Sequence, residues 1–238
     1  MCKARSIRYI RTTVWTRLKQ ALLAVFGLLI RVRVVGKIGV PLRQGVVVAI
    51  NHLNGADSIV VQIGLRTRLF FATSAKWFAG RFSRFFMTNV CDSVPVLTGD
   101  PAASVAGLRR CIATLRHGGS IGIFPEGDFN RSGSVGEILG GAAYLAVRSG
   151  RPVLPVLVKN LRLGVEVDQS TRPRECWTGF RSVLENLLNT NIQLFVGEPI
   201  LPDSEAPSDP EKLRSELARI NVELRQRFDQ LAGLETAV

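Results

Sequence analysis

Residues 45–57 read Gly-Val-Val-Val-Ala-Ile-Asn-His-Leu-Asn-Gly-Ala-Asp and join a short apolar run to a polar loop. The run Val46–Ile50 is bounded by Gly45 and Asn51 and is too short for a helix, so it predicts a buried strand. An apolar pattern with helical spacing begins near Ser58, directly after the loop. A strand, a short polar loop and a helix in this order are typical of a layered α/β domain.

Short apolar segments elsewhere in the chain extend this pattern. They lie at Val32–Val35, Leu69–Ala72, Val94–Leu97, Ser120–Phe124, Val153–Val158 and Ile192–Val196. They alternate with helical patterns, as expected for a central mixed sheet flanked by helices. The chain has 238 residues and a 46% hydrophobic content, enough to bury one full core. We therefore predict a single α/β domain over residues 32–238, preceded by a separate segment at residues 1–31.

The polar loop after the predicted strand Val46–Ile50 contains a candidate base and a candidate acid. His52 is one of two histidines in the chain, and Asp57, five residues later, is the first carboxylate. Imidazole suits general-base catalysis near neutral pH, and a nearby carboxylate can orient the ring and stabilise its protonated form. Loops at strand ends are common places for such side chains. The alternative is that His52 is an ordinary polar residue in a turn.

A second loop of the same kind follows the apolar segment that ends at Phe124. It runs Pro125-Glu126-Gly127-Asp128-Phe129-Asn130-Arg131. Glu126 offers a carboxylate, Gly127 lets a backbone amide approach a ligand, and the guanidinium of Arg131 suits a phosphate. The alternative is a solvated turn that closes a strand.

Taken together, N-H-x-x-x-x-D after one strand and F-P-E-G after another resemble the glycerolipid acyltransferases, the family of 1-acylglycerol-3-phosphate acyltransferases. The resemblance runs from about Val32 to Pro155 and includes Lys76 on an intervening segment. It ends in Arg-Pro-Val-Leu-Pro-Val at residues 151–156, which is similar to the last conserved block of the family. Several blocks in the same order make this a specific signal.

The resemblance implies a glycerol-3-phosphate acyltransferase-like fold and an O-acyltransferase of lipid metabolism. A fatty acyl group would pass from an acyl thioester, acyl-CoA or acyl-carrier protein, to the hydroxyl of a lyso-glycerophospholipid. The family default is lysophosphatidic acid, which gives phosphatidic acid in phospholipid biosynthesis. His52 would be the base, oriented by Asp57, and the predicted substrate-binding residues are Glu126, Gly127, Arg131 and Lys76. No cofactor or metal is implied.

Two departures from the family pattern leave the acceptor open. The segment Val94–Asp100 lacks the arginine that usually helps to bind the acceptor phosphate. The loop after F-P-E-G commonly runs Thr-Arg-Ser-Arg, whereas this chain has Asp-Phe-Asn-Arg at residues 128–131. Arg81, Arg84 or Lys76 could compensate, or the acceptor could be a different lyso-lipid, such as an amino-acid-linked lipid.

Positive charge is concentrated before Asp57. The formal net charge is +12, and ten Lys or Arg residues but no acid precede Asp57. Such a segment favours an anionic membrane surface, an acidic acyl-carrier protein or a nucleic acid. Aromatic residues make up only 7% of the chain and no nucleic-acid-reader motif is present, so no nucleic acid is expected. A non-catalytic basic module that binds membrane or nucleic acid remains the non-enzyme alternative.

The uncharged run between Lys19 and Arg31 is eleven residues long. A membrane-spanning helix needs about 20 residues, so residues 6–30 are interpreted as basic amphipathic helices lying in the headgroup region. This predicts a monotopic or peripheral protein on the cytoplasmic face of a membrane. A cleaved signal peptide and a helix packed within the core are the alternatives, although no small-x-small cleavage site follows Ile30.

Other candidate sites are interpreted as structural. The four cysteines, Cys2, Cys91, Cys111 and Cys176, show no C-x-x-C pair, which indicates free thiols in a reducing cytosol. A helix beginning at Asp100-Pro101 carries Val105, Leu108, Ile112 and Leu115 on one predicted face, and His117 is interpreted as a cap in its last turn. Residues 118–122 match G-x-S-x-G, the elbow of serine hydrolases. The required order of strand, serine, helix and later histidine is absent.

The last predicted element is an amphipathic helix over residues 208–232. Ser208 and Glu211 match a capping box at its start. A stripe of apolar residues at helical spacing follows: Leu213, Leu217, Ile220, Leu224, Phe228 and Leu231. Such a stripe favours docking onto the domain, with dimerisation as the alternative.

Overall fold

The computed structural model describes residues 21, 23–78, 80–89, 91–96, 100–130, 135–161, 184–186, 191–203 and 209–234. The side chains of Lys76, Phe82 and Phe86 are outside this description. Seven strands are present within these ranges: β1 (Val32–Val35), β2 (Val47–Ile50), β3 (Leu69–Ser74), β4 (Ser93–Val96), β5 (Ser120–Ile123), β6 (Val153–Lys159) and β7 (Ile192–Val196). The main helices are α1 (residues 23–29), α2 (Asp57–Leu65), α3 (Arg81–Asn89), α4 (Pro101–Arg116), α5 (Gly141–Ser149) and α6 (Pro210–Gly233).

The seven strands form one mixed sheet in the order β1-β7-β6-β2-β5-β3-β4. Neighbouring strands are parallel except for β6 and β7, which are antiparallel. Strand β2 lies at the centre, between β5 and β6. The predicted α/β domain with a central mixed sheet flanked by helices is confirmed.

Both faces of the sheet are buried, which explains why its central strands are continuous apolar runs. Side chains of β2 alternate between the two faces. Val47 and Ala49 join a core with α4, α5 and α6, whereas Val48 and Ile50 join a core with α2. Each predicted strand is present, with ends that differ from the prediction by at most two residues.

Helix α4 begins and ends as predicted, but one residue of its predicted apolar face is exposed to solvent. The Asp100 carboxylate accepts a hydrogen bond from the Ala102 N–H at 2.9 Å and caps the helix. At the other end, Nδ1 of His117 lies 2.7 Å from the carbonyl oxygen of Ala113, so His117 is a cap. Val105, which the sequence places on the apolar face of this helix, is 46% exposed. The face toward β4 instead includes Gly107, where the helix approaches the strand backbone closely.

Helix α6 packs on the domain, as the apolar stripe predicts. Ile220, Leu224, Phe228 and Leu231 are buried, and Leu213 and Leu217 pack against the same core. Its predicted range, residues 208–232, is corrected to Pro210–Gly233. The cap is Asp209, whose carboxylate accepts the Glu211 N–H at 3.0 Å. Ser208 lies outside the described residues.

The N-terminal segment is described only in part, because residues 1–20 and residue 22 lie outside the described ranges. Ile30 is buried and Phe26 packs beside it, so the core extends to the N-terminal side of the predicted boundary at residue 32. Val25, Leu28 and Leu29 are exposed, Leu28 to 83%. None of the described helices is both long and apolar enough to cross a membrane.

Candidate active site

The two polar loops singled out in the sequence meet at one edge of the sheet. Strands β2 and β5 are parallel neighbours, so their carboxyl ends lie side by side. His52 follows β2, and Glu126 follows β5. The N–H of His52 donates to Oε1 of Glu126 at 3.0 Å, although the residues are 74 positions apart. Two of the predicted site residues are thus in direct contact.

His52 and Asp57 form a hydrogen-bonded pair. Nδ1 of His52 lies 2.9 Å from Oδ2 of Asp57, which is the first residue of α2. The N–H groups of Leu53 and Asn54 also donate to Oδ2, at 2.8 and 2.9 Å. Oδ1 of Asp57 is buried and has no hydrogen-bond partner among the described residues. The start of a helix favours a carboxylate, because its free N–H groups carry partial positive charge.

The environment of Asp57 determines how it acts on His52. The side chain is fully buried, and this desolvation raises the pKa of the Asp57 carboxyl, opposed by the hydrogen bond and charge of His52 and by the Asn54 and Leu53 amides. Because Oδ2 accepts two other N–H bonds, the facing Nδ1 of His52 is a donor. The neutral ring then carries its lone pair on Nε2, which is the tautomer that a base requires.

The imidazole of His52 lies between two phenylalanine rings. The Phe124 ring is stacked at 3.8 Å with an interplanar angle of 15°, and the Phe129 ring is tilted at 4.1 Å and 41°. Phe71 stacks in turn on Phe124 at 5.9 Å. The His52 side chain is only 17% exposed. Apolar rings on both faces limit water access and leave the ring edge as the reactive part.

Glu126 is held by its own loop. Its Oε2 accepts hydrogen bonds from Nδ2 of Asn130 at 2.7 Å and from the N–H of Gly136 at 2.8 Å. The N–H of Asn130 donates to the carbonyl oxygen of His52 at 2.7 Å. The loop after β5 is therefore hydrogen-bonded to both the N–H and the carbonyl oxygen of His52.

The remaining predicted substrate-binding residues lie near the same edge or outside the described part of the chain. Gly127 is exposed and has a φ of +75°, a backbone conformation that residues other than glycine rarely adopt. Lys76 lies in a short 3-10 helix directly after β3, a further parallel strand, and its side chain is not described. Arg131 lies outside the described residues. Arg81 and Arg84 are exposed on α3.

Ser120 does not form a nucleophile elbow. It is buried at the start of β5, the sheet edge opposite His52. Its Oγ accepts the Val46 N–H at 3.0 Å and donates to the carbonyl oxygen of Leu42. Both hydrogen-bonding functions of the hydroxyl are occupied by backbone groups, so Ser120 is structural.

Sequence reasoning missed three side chains that contact or flank the pair. Phe124 and Phe129 enclose the His52 ring, and Asn51 bonds the backbone of β6 through its carboxamide. An amide at the end of a buried apolar strand is a signal that could have identified Asn51, because a buried polar group requires partners. No comparable signal marks Phe129. Within the described residues, no group of three or more His, Cys, Asp or Glu side chains could hold a metal ion.

A family model described as Acyltransferase matches residues 31–159, which are 129 of the 238 residues. The chain belongs to the Acyltransferase family. The matched region contains both loops of the site, including His52, Asp57 and Glu126. The resemblance inferred from the sequence motifs is confirmed at the level of the family.

Two curated relatives in this family are named 1-acyl-sn-glycerol-3-phosphate acyltransferase. The protein BAT2 of Brassica napus, a chloroplastic protein, is 36% identical over 63 residues, and a protein of Borreliella burgdorferi is 27% identical over 132 residues. These alignments cover 26% and 55% of this chain. The chain spans 18% of the first relative and 52% of the second.

The fold is also shared with a solved acyltransferase. The crystal structure of the 1-acyl-sn-glycerophosphate acyltransferase PlsC from Thermotoga maritima matches with a TM-score of 0.57 and 19% sequence identity. The match covers 91% of this chain and 82% of that chain. At this identity, the likeness establishes the fold of the Acyltransferase domain.

Proposed function

We propose that this chain is a membrane-associated O-acyltransferase that moves a fatty acyl group from an acyl thioester to the hydroxyl of a lyso-glycerophospholipid. The observation that carries the proposal is the His52–Asp57 pair, in which a buried carboxylate bonds Nδ1 and leaves Nε2 as a proton acceptor. Membership of the Acyltransferase family supports the same reaction.

In this mechanism, Nε2 of His52 takes the proton from the acceptor hydroxyl as its oxygen attacks the thioester carbonyl carbon. The new C–O ester bond forms, the C–S bond breaks, and the imidazolium returns its proton to the departing thiolate. Asp57 stabilises the imidazolium during the step. Direct transfer is part of the proposal. Ser120 is occupied by backbone groups and burial raises the pKa of the Cys111 thiol to about 12, so neither of these two residues is an activated nucleophile.

Lysophosphatidic acid is the default acceptor, in line with the names of the curated relatives. The rim of the site gives a reason to test others. Phe129 lies on His52, and both Phe129 and the preceding Asp128 are exposed, so the described part of this loop presents an aromatic ring and a carboxylate. Such a rim is less suited to a phosphate than a guanidinium is. A lyso-lipid with a less anionic head group, such as an amino-acid-linked lipid, is the alternative acceptor.

We place the enzyme at the cytoplasmic face of a membrane as a peripheral protein. Val25, Leu28 and Leu29 are exposed on α1, and Arg31 and Arg33 are exposed directly after it. Apolar side chains beside cations favour an interface of anionic lipid. A membrane surface would bring two amphiphilic substrates to the same site. Flotation with neutral and with anionic vesicles tests this placement independently of turnover.

The experiment that tests the activity is transfer of a labelled acyl group in vesicles. Acyl-CoA and acyl-carrier protein are offered as donors, with lysophosphatidic acid and a panel of other lyso-lipids as acceptors. Wild type should form product, and folded His52→Ala should form none above background. Equal rates in the two proteins would contradict the mechanism. Binding to vesicles or DNA without any product would favour the non-catalytic module.

A further inference from the structure

The backbone around His52 is held from both sides of β2. The strand ends at Ile50, yet the Asn51 side chain continues its pairing with β6. Nδ2 of Asn51 donates to the carbonyl oxygen of Val158 at 3.0 Å, and the N–H of Val158 donates to Oδ1 of Asn51 at 2.7 Å. The carboxamide thus makes the two hydrogen bonds that a backbone peptide would make, and Asn51 is only 5% exposed.

Because the Asn51 side chain makes these bonds in place of a backbone peptide, the main chain can turn away from β6 after Asn51. The next residue, His52, gives both of its backbone polar groups to the loop after β5. Its N–H donates to Oε1 of Glu126 at 3.0 Å, and its carbonyl oxygen accepts the N–H of Asn130 at 2.7 Å. Glu126 and Asn130 are joined side chain to side chain at 2.7 Å. A histidine ring has two rotatable side-chain bonds, so a fixed backbone and a bond at Nδ1 leave it little freedom.

We infer that Asn51 and Glu126 are positioning residues for His52. Asn51 acts through its hydrogen bonds to β6, and Glu126 acts from the loop after β5. The inference rests on the proposed function, in which His52 is the base. It reassigns Glu126, which the family resemblance places at the acceptor. Both oxygens of the Glu126 carboxylate accept hydrogen bonds from neighbouring protein groups, Oε1 from the His52 N–H and Oε2 from Asn130 and Gly136.

Positioning and acceptor binding have different kinetic consequences. A base displaced by about 1 Å lowers turnover by about a hundredfold, while the affinity for substrate is retained. Loss of an acceptor contact raises the KM of the acceptor instead. Glu126→Gln is the sharpest single change, because it keeps an oxygen for the His52 N–H but turns the other atom into a donor. That donor then faces the Asn130 amide and the Gly136 N–H.

The test measures kcat and both KM values in the vesicle assay for Glu126→Gln, Glu126→Ala and Asn51→Ala. We expect kcat to fall by about tenfold to a hundredfold, with the acceptor KM changed by less than about twofold. Glu126→Gln/Asn130→Asp restores the side-chain bond with its polarity reversed but leaves the Gly136 N–H facing a donor, so it should regain part of the kcat lost in Glu126→Gln.

Ser120→Ala is the matched control, because it removes buried hydrogen bonds at the opposite end of the sheet. It should lower the unfolding temperature and leave kcat unchanged. A raised acceptor KM with an unchanged kcat in Glu126→Gln would overturn the inference, as would failure of the double variant to recover while folded. Where Glu126→Ala or Asn51→Ala does not fold, Glu126→Gln carries the test. An active His52→Ala protein would instead reject the proposed function.

Discussion

Oδ2 of Asp57 reaches Nδ1 of His52 at 2.9 Å because α2 begins at Asp57 itself. The intervening loop turns through a bond from the Ala56 N–H to Oδ1 of Asn54, at 2.7 Å. Oδ2 of Asp57 also accepts hydrogen bonds from the Leu53 and Asn54 N–H groups. Asp57 therefore holds the loop and the base together, and its charge and its shape have separable effects.

Asp57→Asn should separate those two effects. The amide keeps the size of the side chain and an oxygen for the Leu53 and Asn54 N–H groups, but it removes the charge that stabilises the imidazolium. We expect kcat to fall by roughly 10⁴-fold, the scale found when a triad aspartate is replaced by asparagine. Circular dichroism and thermal unfolding should show a folded protein. A rate within tenfold of wild type would show that the charge of Asp57 is not used.

The pH dependence of stability should also change in Asp57→Asn. Burial raises the folded-state pKa of Asp57 above the unfolded value of about 3.9, so the folded state holds its proton more tightly. Stability from this group is present below the unfolded pKa and is lost as the pH rises through the folded pKa. Urea unfolding from about pH 4 to about pH 7 should show the variant gaining stability relative to wild type.

Comparison at each pH cancels the contributions of the other carboxyl groups, which both proteins share. The opposite trend, with wild type gaining relative to the variant as the pH rises, would contradict the direction. It would mean that the bonds from His52 and the two backbone amides outweigh the cost of burial.

Gly107 should not tolerate a larger side chain. A Cβ added there would lie 2.1 Å from the carbonyl oxygen of Pro95, a backbone atom of β4 that cannot move alone. Gly107→Ala should therefore lower the free energy of unfolding by about 1–3 kcal/mol, despite the better helix propensity of alanine. Gly233→Ala is the matched control in α6, since nothing lies within 4 Å of its added Cβ. Chemical denaturation of both variants measures the difference, and equal stability would show that α4 shifts freely.

Ser120→Ala should damage the fold but not the chemistry. The Val46 N–H and the Leu42 carbonyl lose their partner, and leaving such buried groups unpaired costs about 1–3 kcal/mol. Acyl transfer at a temperature where the variant is folded should equal that of wild type. A collapse of turnover in the folded variant would restore the nucleophile elbow as an explanation.

The local elements of this fold were predictable from the sequence. An apolar run bounded by Gly45 and Asn51 predicts a strand wherever it lies, and the five-residue spacing of His52 and Asp57 closes within one loop. These features depend on interactions between residues close in the chain, which residue pattern and backbone geometry determine. The caps of α4 at Asp100 and His117 were predictable for the same reason.

The tertiary structure alone decided which distant residues surround the base. Glu126 meets His52 across 74 positions, and Asn51 bonds Val158 across 107. Those contacts exist because β5 and β6 flank β2 in the sheet, an order that no local pattern contains. Phe129 lies on His52 because its loop is tied to the His52 backbone. The sequence by itself determined the pair and the strand that carries it, whereas the packing of the sheet decided what holds that pair in place.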